Sequence, residues 1–565
     1  MSRYSRVARL VAVAMTVTFI AAACSSDSGG GDADGDGGTP TTGGSAVIGA
    51  EQWMVCLNPI TSCAFSAWYA YAVQYGVMPR LLELDTNGNY VPSAAEAVPT
   101  LEDGTVTEDP FSVTFTIRDD AVWDDGSPIT SEDVDFTWRA IMNTSGAIGR
   151  SGYDLITSIS TDDPKEFTIE FSDVYVDWVD LFGGGLQFIL QKEAFPAFAD
   201  DPKPDLSEEM TDEIPFSGGP WTLESWDKQE LTLVRNDNYW GDLALMDEVT
   251  FVRRQNQETE LNSLKSGEVS VIFPQPSNES IADQVVDTPS ISTIGGGSPF
   301  WEALHFNHDS PPLDDENVRR GIMYAINRQA VVDALVKINA PDTELLNCFG
   351  WVPGVGDWCD QTDFAEFTFD PAKAMAEFET AGYDCSGVAN GDFCEKDGEP
   401  LSIEYTTTAG NARREDTQAL LQESAKEAGL DLQTKTDDAA VLFGDLLNTG
   451  AYQIADYALG GSPSPSVTEI LACEGGQNTD FWCDEEASKL MLQADSEPDP
   501  AVRLDLTQQV GDIVAEQAVG VPLYILPQLT AWRTDIIAGP IGEWNATIYG
   551  SFFNMNEWYL VEGGG

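Results

Sequence analysis

The chain is poor in histidine, with only His305 and His308, and poor in cations, with 28 Lys and Arg against 94 Asp and Glu in 565 residues. The net charge of −66 excludes nucleic acid as a partner, because phosphate backbones are bound through clustered Lys and Arg. No His-Glu-x-x-His helix and no Gly-x-Ser-x-Gly turn occur, so the common zinc-protease and serine-hydrolase signatures are missing. There is no Gly-x-x-x-x-Gly-Lys-[Ser/Thr] phosphate loop either, so the chain has no nucleotide-driven engine of that kind. Carboxylate-pair chemistry is not excluded by motif, since 94 acids supply many pairs. His305 and His308 lie three apart, and on a strand such positions face opposite sides. No metal site and no cofactor are therefore expected.

Apolar residues are plentiful: 42% of the chain, including 26 Phe, 16 Tyr and 15 Trp. That is enough to build large cores and rules out a disordered acidic chain. The length exceeds what one core accommodates, since cores stop growing at roughly 250 to 300 residues. Two or three lobes are expected. The acidic surplus reads as a solvated surface, because exposed charges are screened within ~8 Å at physiological ionic strength.

The first residues point to export. Arg3, Arg6 and Arg9 precede an apolar run, Leu10 to Ala23, whose 14 residues fall short of the about 20 that span a bilayer. Residues 1–23 thus read as a signal peptide. The run ends in Ala21-Ala22-Ala23-Cys24, which resembles the lipobox of bacterial lipoproteins, with Ala21 where Leu is usual. The resemblance implies an acylated Cys24 as mature N-terminus. Residues 24–45, dominated by Gly, Ser, Asp and Thr, read as a flexible tether. The expected location is extracytoplasmic, lipid-anchored to the cell membrane.

Eight further cysteines fall in close pairs: Cys56 with Cys63, Cys348 with Cys359, Cys385 with Cys394, and Cys473 with Cys483. Eight cysteines allow 105 connectivities, so sequence proximity does not fix the pairing. None has Cys-x-x-Cys spacing, and an oxidising compartment favours local disulfide staples.

Along the chain, strand-like and helix-like stretches alternate as in α/β lobes. Val113 to Ile117 reads as a strand, and Thr130 with Asp133 as a capping pair for a helix burying Val134, Trp138 and Ile141. Trp221 to Trp226 and Leu231 to Arg235 form a hairpin. Glu258 to Ser266 reads as a helix stopped by Gly267. Asp314 or Asp315 starts another helix, with Val318, Ile322 and Ala325 buried and Arg319 and Arg320 outward. Asp370 and Pro371 open a third helix ended by Gly382, and Asp416 to Ala428 forms a fourth.

Four of these stretches, in this order, resemble a known group, the family 5 solute-binding proteins of ATP-driven importers, the peptide, nickel and oligosaccharide type. They are Phe115 to Arg118 running on to Trp123-Asp124-Asp125-Gly126-Ser127-Pro128 and Val134; Ser217-Gly218-Gly219-Pro220-Trp221 through Arg235 to Gly241; Leu264-Lys265-Ser266-Gly267-Glu268-Val269; and Phe306-Asn307 through Val318-Arg319-Arg320 to Asn327-Arg328. The resemblance implies a bilobal type II binding protein with an additional inserted lobe. Residues 46–85, 213–298 and 517–565 would form the first lobe, 86–212 the inserted second and 299–516 the third. Hinges are expected near Phe300 to Asn307 and Ala515 to Val521.

It further implies a monomer that is no enzyme, captures a peptide or related small organic solute between its lobes, and hands it to permease subunits driven by a separate ATPase. An oligosaccharide receptor of the same family is the alternative, and a secreted glycan hydrolase the alternative of another class. The residues expected to face the solute are Trp53, Phe300, Trp301, Tyr457, Gly460, Gly461 and Ser462, aromatics that offer flat apolar area beside a strand-end loop. In peptide-binding relatives the stretch similar to Asp456 to Ser466 carries an Asp that pairs with the peptide ammonium. Here Gly460 to Ser464 has no carboxylate, which leaves Asp456 as the only candidate of that stretch.

Overall fold

The computed structural model describes residues 40–562, apart from 65, 186, 275–278, 297, 355, 462, 465 and 543–546. In chain order the strands of its three main sheets are β1 (Ser45–Ala50), β2 (Val106–Glu108), β3 (Phe111–Thr116), β4 (Ile156–Ile159), β5 (Glu166–Phe171), β6 (Trp221–Trp226), β7 (Glu230–Arg235) and β8 (Glu248–Arg253). They continue with β9 (Val271–Ile272), β10 (Ile291–Gly296), β11 (Phe300–Phe306), β12 (Ser402–Thr408), β13 (Asp431–Asp437), β14 (Ile454–Gly460), β15 (Gly520–Ile525) and β16 (Gln528–Arg533). The longer helices are α1 (Ser131–Asn143), α2 (Gln257–Ser266), α3 (Glu316–Ala325), α4 (Pro371–Thr380), α5 (Ala412–Glu427), α6 (Glu485–Asp495) and α7 (Pro500–Glu516).

A seven-stranded sheet runs β10-β16-β9-β1-β8-β7-β6, a five-stranded sheet β13-β12-β14-β11-β15, and a four-stranded sheet β2-β3-β5-β4. In the first, β1 is parallel to both neighbours, β8 and β9, while the β6–β7 hairpin extends the edge antiparallel. The five-stranded sheet mixes parallel β12 pairings with antiparallel β11, which lies between β14 and β15. The four-stranded sheet is the insertion, and its β3 alternates buried and half-buried residues, as a sheet with one covered face requires. One apolar core joins the first and inserted sheets, and a separate core fills the body of the five-stranded sheet.

Local chemistry sets the element ends. Thr130 and Asp133 form the expected capping box on α1. Gly267 closes α2 in the left-handed conformation at φ 79°, which glycine adopts without strain. Asp315 caps α3, and Asp370 with Pro371 opens α4. The α5 helix begins four residues before the expected Asp416, because the Asn411 side chain accepts the Arg414 amide and serves as N-cap.

The structure departs from the sequence expectation at three further places. Arg319 is buried, and its guanidinium donates to the carbonyls of Leu313, Gln517 and Ala518. The hydrogen bonds that fan out from one guanidinium offset its desolvation. Residues 517–525 do not belong with the first sheet, since β15 pairs with β11 inside the five-stranded one. The chain changes bodies later, between Ile525 and Gln528, and earlier than Phe300 on the outward pass, between Gly296 and Phe300. These two crossings run side by side: Ser298 Oγ donates to Leu526 O at 2.6 Å, and Leu526 N to Phe300 O at 2.8 Å. Gly43 and Gly44, expected to lie in the tether, join the folded body instead, because their amides bond to Leu245 O and Asp247 Oδ2.

The four neighbour pairs of cysteines are joined: Cys56–Cys63, Cys348–Cys359, Cys385–Cys394 and Cys473–Cys483. Each closes a short loop, which removes freedom mainly from the unfolded chain. Replacing Cys385 and Cys394 together by Ser should lower the unfolding free energy by about 2 to 3 kcal/mol in urea titration. Solute binding should be untouched, since residues 385–394 take no part in lining the space between the two cores.

Candidate functional site

Between the two bodies lies a cleft of about 360 Å³, within the ~300 to 1,000 Å³ typical of small-ligand sites. Its first wall is built by the segment after β1. The Cys56–Cys63 staple ties the loop that presents Pro59 to Thr61, and Ser66 then caps a helical stretch by accepting the Trp68 amide at 3.2 Å. That stretch lays Trp68, Tyr69 and Tyr71 along the cleft. The inserted lobe adds Tyr175, Gln187 and Phe188. The opposite wall comes from Phe300 at the ribbon, Trp351 in the Cys348–Cys359 loop, Asn411 and Arg414 at the start of α5, and the loop after β14.

Four carboxyl or guanidinium side chains border this space among the described residues: Glu51, Asp180, Arg414 and Glu469. Glu469 accepts backbone amides on both oxygens, from Ser151 and from Gly476, and burial raises its proton affinity. Asp180 accepts the Tyr90 hydroxyl at 2.7 Å. Glu51 Oε2 accepts the Trp68 indole N–H at 2.9 Å. Burial pushes the Glu51 carboxyl up to about 7, against the Trp68 hydrogen bond and the positive charges of Arg414 and Arg413. Behind it Glu260, on α2, is fully buried; among the described residues neither oxygen has a hydrogen-bond partner of ordinary geometry, and burial and the Glu51 charge raise its proton affinity well above the usual carboxylate range.

The Arg414 side of the cleft rests on an ionic network. Glu302 on β11 is fully buried and accepts Arg414 Nε at 2.7 Å and Arg413 Nη2 at 3.2 Å. Arg414 Nη1 donates to Thr408, and Arg413 Nε to the Tyr524 hydroxyl on β15. Burial opposes ionisation of Glu302, and the two guanidinium charges overcome it and hold its carboxyl below the usual range. Asp456, on β14, is equally buried, and burial together with the Glu302 charge raises its proton affinity far above normal. It accepts the Tyr405 hydroxyl at 2.9 Å. Asp456 therefore sits neutral beneath the sheet and does not border the cleft.

The two bodies also touch around the mouth. The Arg503 and Asp177 side chains pair there, both nearly fully buried. Val176 N donates to Asp495 O at 2.8 Å, Asn448 Nδ2 to Ser62 Oγ at 3.1 Å, and Arg253 Nη2 to Asp438 Oδ2 at 3.0 Å. The molecule is thus held in a closed arrangement, with a cavity between two bodies joined by a two-stranded ribbon.

Comparison with known proteins agrees with this geometry. Residues 89–480 match the model described as bacterial extracellular solute-binding proteins, family 5 Middle. The chain belongs to this family. It is 25% identical over 441 residues to the oligopeptide-binding protein OppA of Mycobacterium tuberculosis, covering 76% of this chain and 71% of that one. Among solved structures, the family 5 chain matches a periplasmic EDTA-binding protein, EppA, with TM-score 0.79 and 22% identity over 93% of this chain and 98% of that one. It matches the oligopeptide-binding protein AppA of Bacillus subtilis, in complex with a nonapeptide, with TM-score 0.79 and 20% identity over 93% and 100% of the two chains. These structures support the mixed α/β, bilobal type II fold.

Of the expected solute-facing residues, Phe300, Gly460 and Gly461 border the cleft. A side chain at Gly461 would place Cβ 2.5 Å from Val352, so glycine lets the loop pass close to its neighbour. Ser462 lies outside the described residues, as does Cys24. The other three face elsewhere. Trp53 is buried in the first core and its indole donates to Asp227 O in the β6–β7 turn at 2.8 Å. Trp301 is fully buried against Phe349 at 4.9 Å in the second core. Tyr457 stacks on His305 at 3.9 Å and hydrogen-bonds Thr479. Burial in the cores keeps Trp53, Trp301 and Tyr457 from a solute, and for Tyr457 the His305 ring covers its face.

His305 and His308 part as expected for their spacing: His305 Nδ1 meets Asp480, and His308 Nε2 meets Val519 O. The residues missed by sequence reading are Glu51, Trp68, Tyr69 and Tyr71, although the dense Trp-Tyr-Ala-Tyr run is visible in the sequence.

The buried charges can be tested one at a time. Glu302→Gln leaves two buried guanidiniums short of a counter-charge and should cost about 3 to 5 kcal/mol of unfolding free energy, measured in urea. Asp177→Asn strips the buried Arg503 of its partner in the closed form only. It should enlarge the radius of gyration in small-angle scattering, and an unchanged profile would show that this pair does not hold the mouth.

Proposed function

We propose that this family 5 protein captures peptides or a related small organic solute in the interlobe cleft and delivers it to the membrane subunits of an ATP-driven importer. The observation that carries the reading is the enclosed cavity lined by Trp68, Tyr69, Tyr71, Phe300 and Trp351 and spanned by a hinge-like ribbon. Phe300, half-buried, offers apolar surface to a solute, while Gln52, Gln187 and Asn411 supply hydrogen bonds. A solute touching both walls stabilises the closed form by its differential affinity for it, and the closed form is the signal a permease reads.

The names of similar proteins support a peptide-like cargo: OppA and AppA are called oligopeptide-binding proteins, and AppA was solved with a nonapeptide. They also counsel breadth, since EppA is called EDTA-binding. An oligosaccharide is less favoured, because stacking on sugars needs open ring faces and Trp68 and Trp351 are only 1% and 4% exposed. The Ala21-Ala22-Ala23-Cys24 stretch supports a lipid anchor outside the cytoplasm, and among the described residues no helix is long and apolar enough to cross a membrane. The body acts as a monomer and transforms nothing it binds.

Thermal unfolding of the purified protein with a random hexapeptide pool tests this. Binding at a hundredfold excess over Kd adds about 2.7 kcal/mol and raises Tm. Malto-oligosaccharides should leave Tm unchanged, and mass spectrometry should recover the bound peptides intact. A shift with sugars alone, or cleaved peptides, would overturn the reading.

A further inference from the structure

The polar side chains of the cleft are not equivalent in what they have left to offer. Both oxygens of Glu469 are occupied by backbone amides, and Arg414 is committed to Glu302 and Thr408. Asp180 holds the Tyr90 hydroxyl. Glu51 is held by its own backbone amide and by the Trp68 indole on Oε2, and among the described residues no other residue donates to its carboxyl. The side chain is half-buried and borders the cavity, so its remaining exposure is to the cleft.

The position of Glu51 is fixed. It follows directly on β1, the parallel centre of the seven-stranded sheet, and the fully packed Trp68 indole pins its carboxyl. The strand turns there so that Glu51 and Gln52 edge the cavity while Trp53 swings beneath the β6–β7 turn. A pinned carboxyl with acceptor capacity left, in an apolar and largely aromatic cavity, is an acceptor for a positively charged donor.

We propose that Glu51 is the cation acceptor of the cleft and that the captured solute presents an ammonium or guanidinium group to its carboxyl. This rests on the reading of the cleft as the solute site and names the solute's chemical class. The groups facing Glu51 are Glu260 from α2, Arg413 and Arg414 from α5, and Tyr71 from its own wall. Glu260 and Tyr71 are buried and hold their protons. The Arg413 and Arg414 charges are balanced in part by Glu302 and favour an ionised Glu51.

Burial, working against those charges, sets the carboxyl at about 7. Below that pH Glu51 is a neutral acid and a poor cation acceptor, and above it the carboxylate is available. An incoming cation therefore favours the ionised form, and at neutral pH capture releases part of a proton.

The test uses the whole protein and two probes in isothermal titration: a random hexapeptide library with free amino termini and lacking Lys and Arg, and the same library N-acetylated. In the wild type, affinity for the free-amine library should rise from about pH 5.5 to about pH 7 as Glu51 ionises. It should fall above about pH 8 as the peptide amine loses its proton. Glu51→Gln, which keeps an oxygen for Trp68, should lower that affinity by about tenfold or more at pH 7 and abolish the rising limb. The N-acetylated library should bind wild type and variant alike.

Equal binding of the free-amine library by both proteins, with the same pH profile, would overturn the role of Glu51 while leaving a peptide site standing. Retention of neither library by the wild type would remove the peptide reading and this proposal with it. Should Glu51→Gln fail to fold, the wild-type pH profiles decide: a rising limb for the free-amine library alone supports the assignment, and identical profiles for the two libraries refute it.

Discussion

One buried carboxylate organises the second wall of the cleft. Glu302 sits on β11, the strand that continues directly from the crossing ribbon, and it holds Arg413 and Arg414 at the start of α5. Through Arg413 the same network reaches Tyr524 on β15, the strand that leads back out through the ribbon. Both strands that leave the second body are thus tied to the helix that edges the solute site. Burying three charges is unfavourable in itself, and fan-shaped hydrogen bonding from two guanidiniums makes it tolerable. The geometric consequence is rigidity where the ribbon enters the sheet.

Closure then becomes a balance of surfaces. The contacts at the mouth are few and mostly polar, apart from the buried Asp177–Arg503 pair. Exposed polar contacts of this kind contribute about 0 to 1 kcal/mol each, so they select the closed geometry without locking it. More of the driving force for closure comes with the solute itself, which bridges the two walls when it fills the cavity. A receptor that must release its cargo benefits from this division, since most of what favours closing leaves with the solute.

Much of the fold was legible because its elements announce themselves locally. Capping residues, a Pro at a helix start and glycines at helix ends mark α1 to α4, and the four cysteine staples follow sequence proximity. What sequence reading could not fix was how long-range pairing divides the chain. The family resemblance implies that residues 517–565 belong to the first lobe, but the partner of residues 520–525 is β11, more than 200 residues earlier. Beside Arg320, Arg319 has the pattern of a solvent-facing residue, and only the folded Gln517 and Ala518 carbonyls give it a reason to be inside. The site was harder still. Trp53, Trp301 and Tyr457 have the right chemistry for a solute wall, and core partners on three different elements decide against them. An aromatic residue near a strand end carries no mark of which neighbour will cover it. Phe300, Gly460 and Gly461 border the cleft because they sit at the very ends of β11 and β14, paired with each other at Phe300 and Gly460, where the sheet runs out.

A net charge of −66 invites the idea of long-range attraction for cations, but screening confines the influence of surface carboxylates to ~8 Å. The charges that matter to a solute are those inside the cleft, and there the acidic excess has been neutralised group by group. Glu469 is capped by amides and Asp180 holds the Tyr90 hydroxyl, while behind the walls burial raises the proton affinity of Glu260 and Asp456 and Glu302 is held between arginines. Against that background a single carboxyl that titrates near neutrality carries far more weight than the dozens outside. The surface charge keeps the body soluble, and the recognition chemistry is set by the few groups that the two walls leave unpaired.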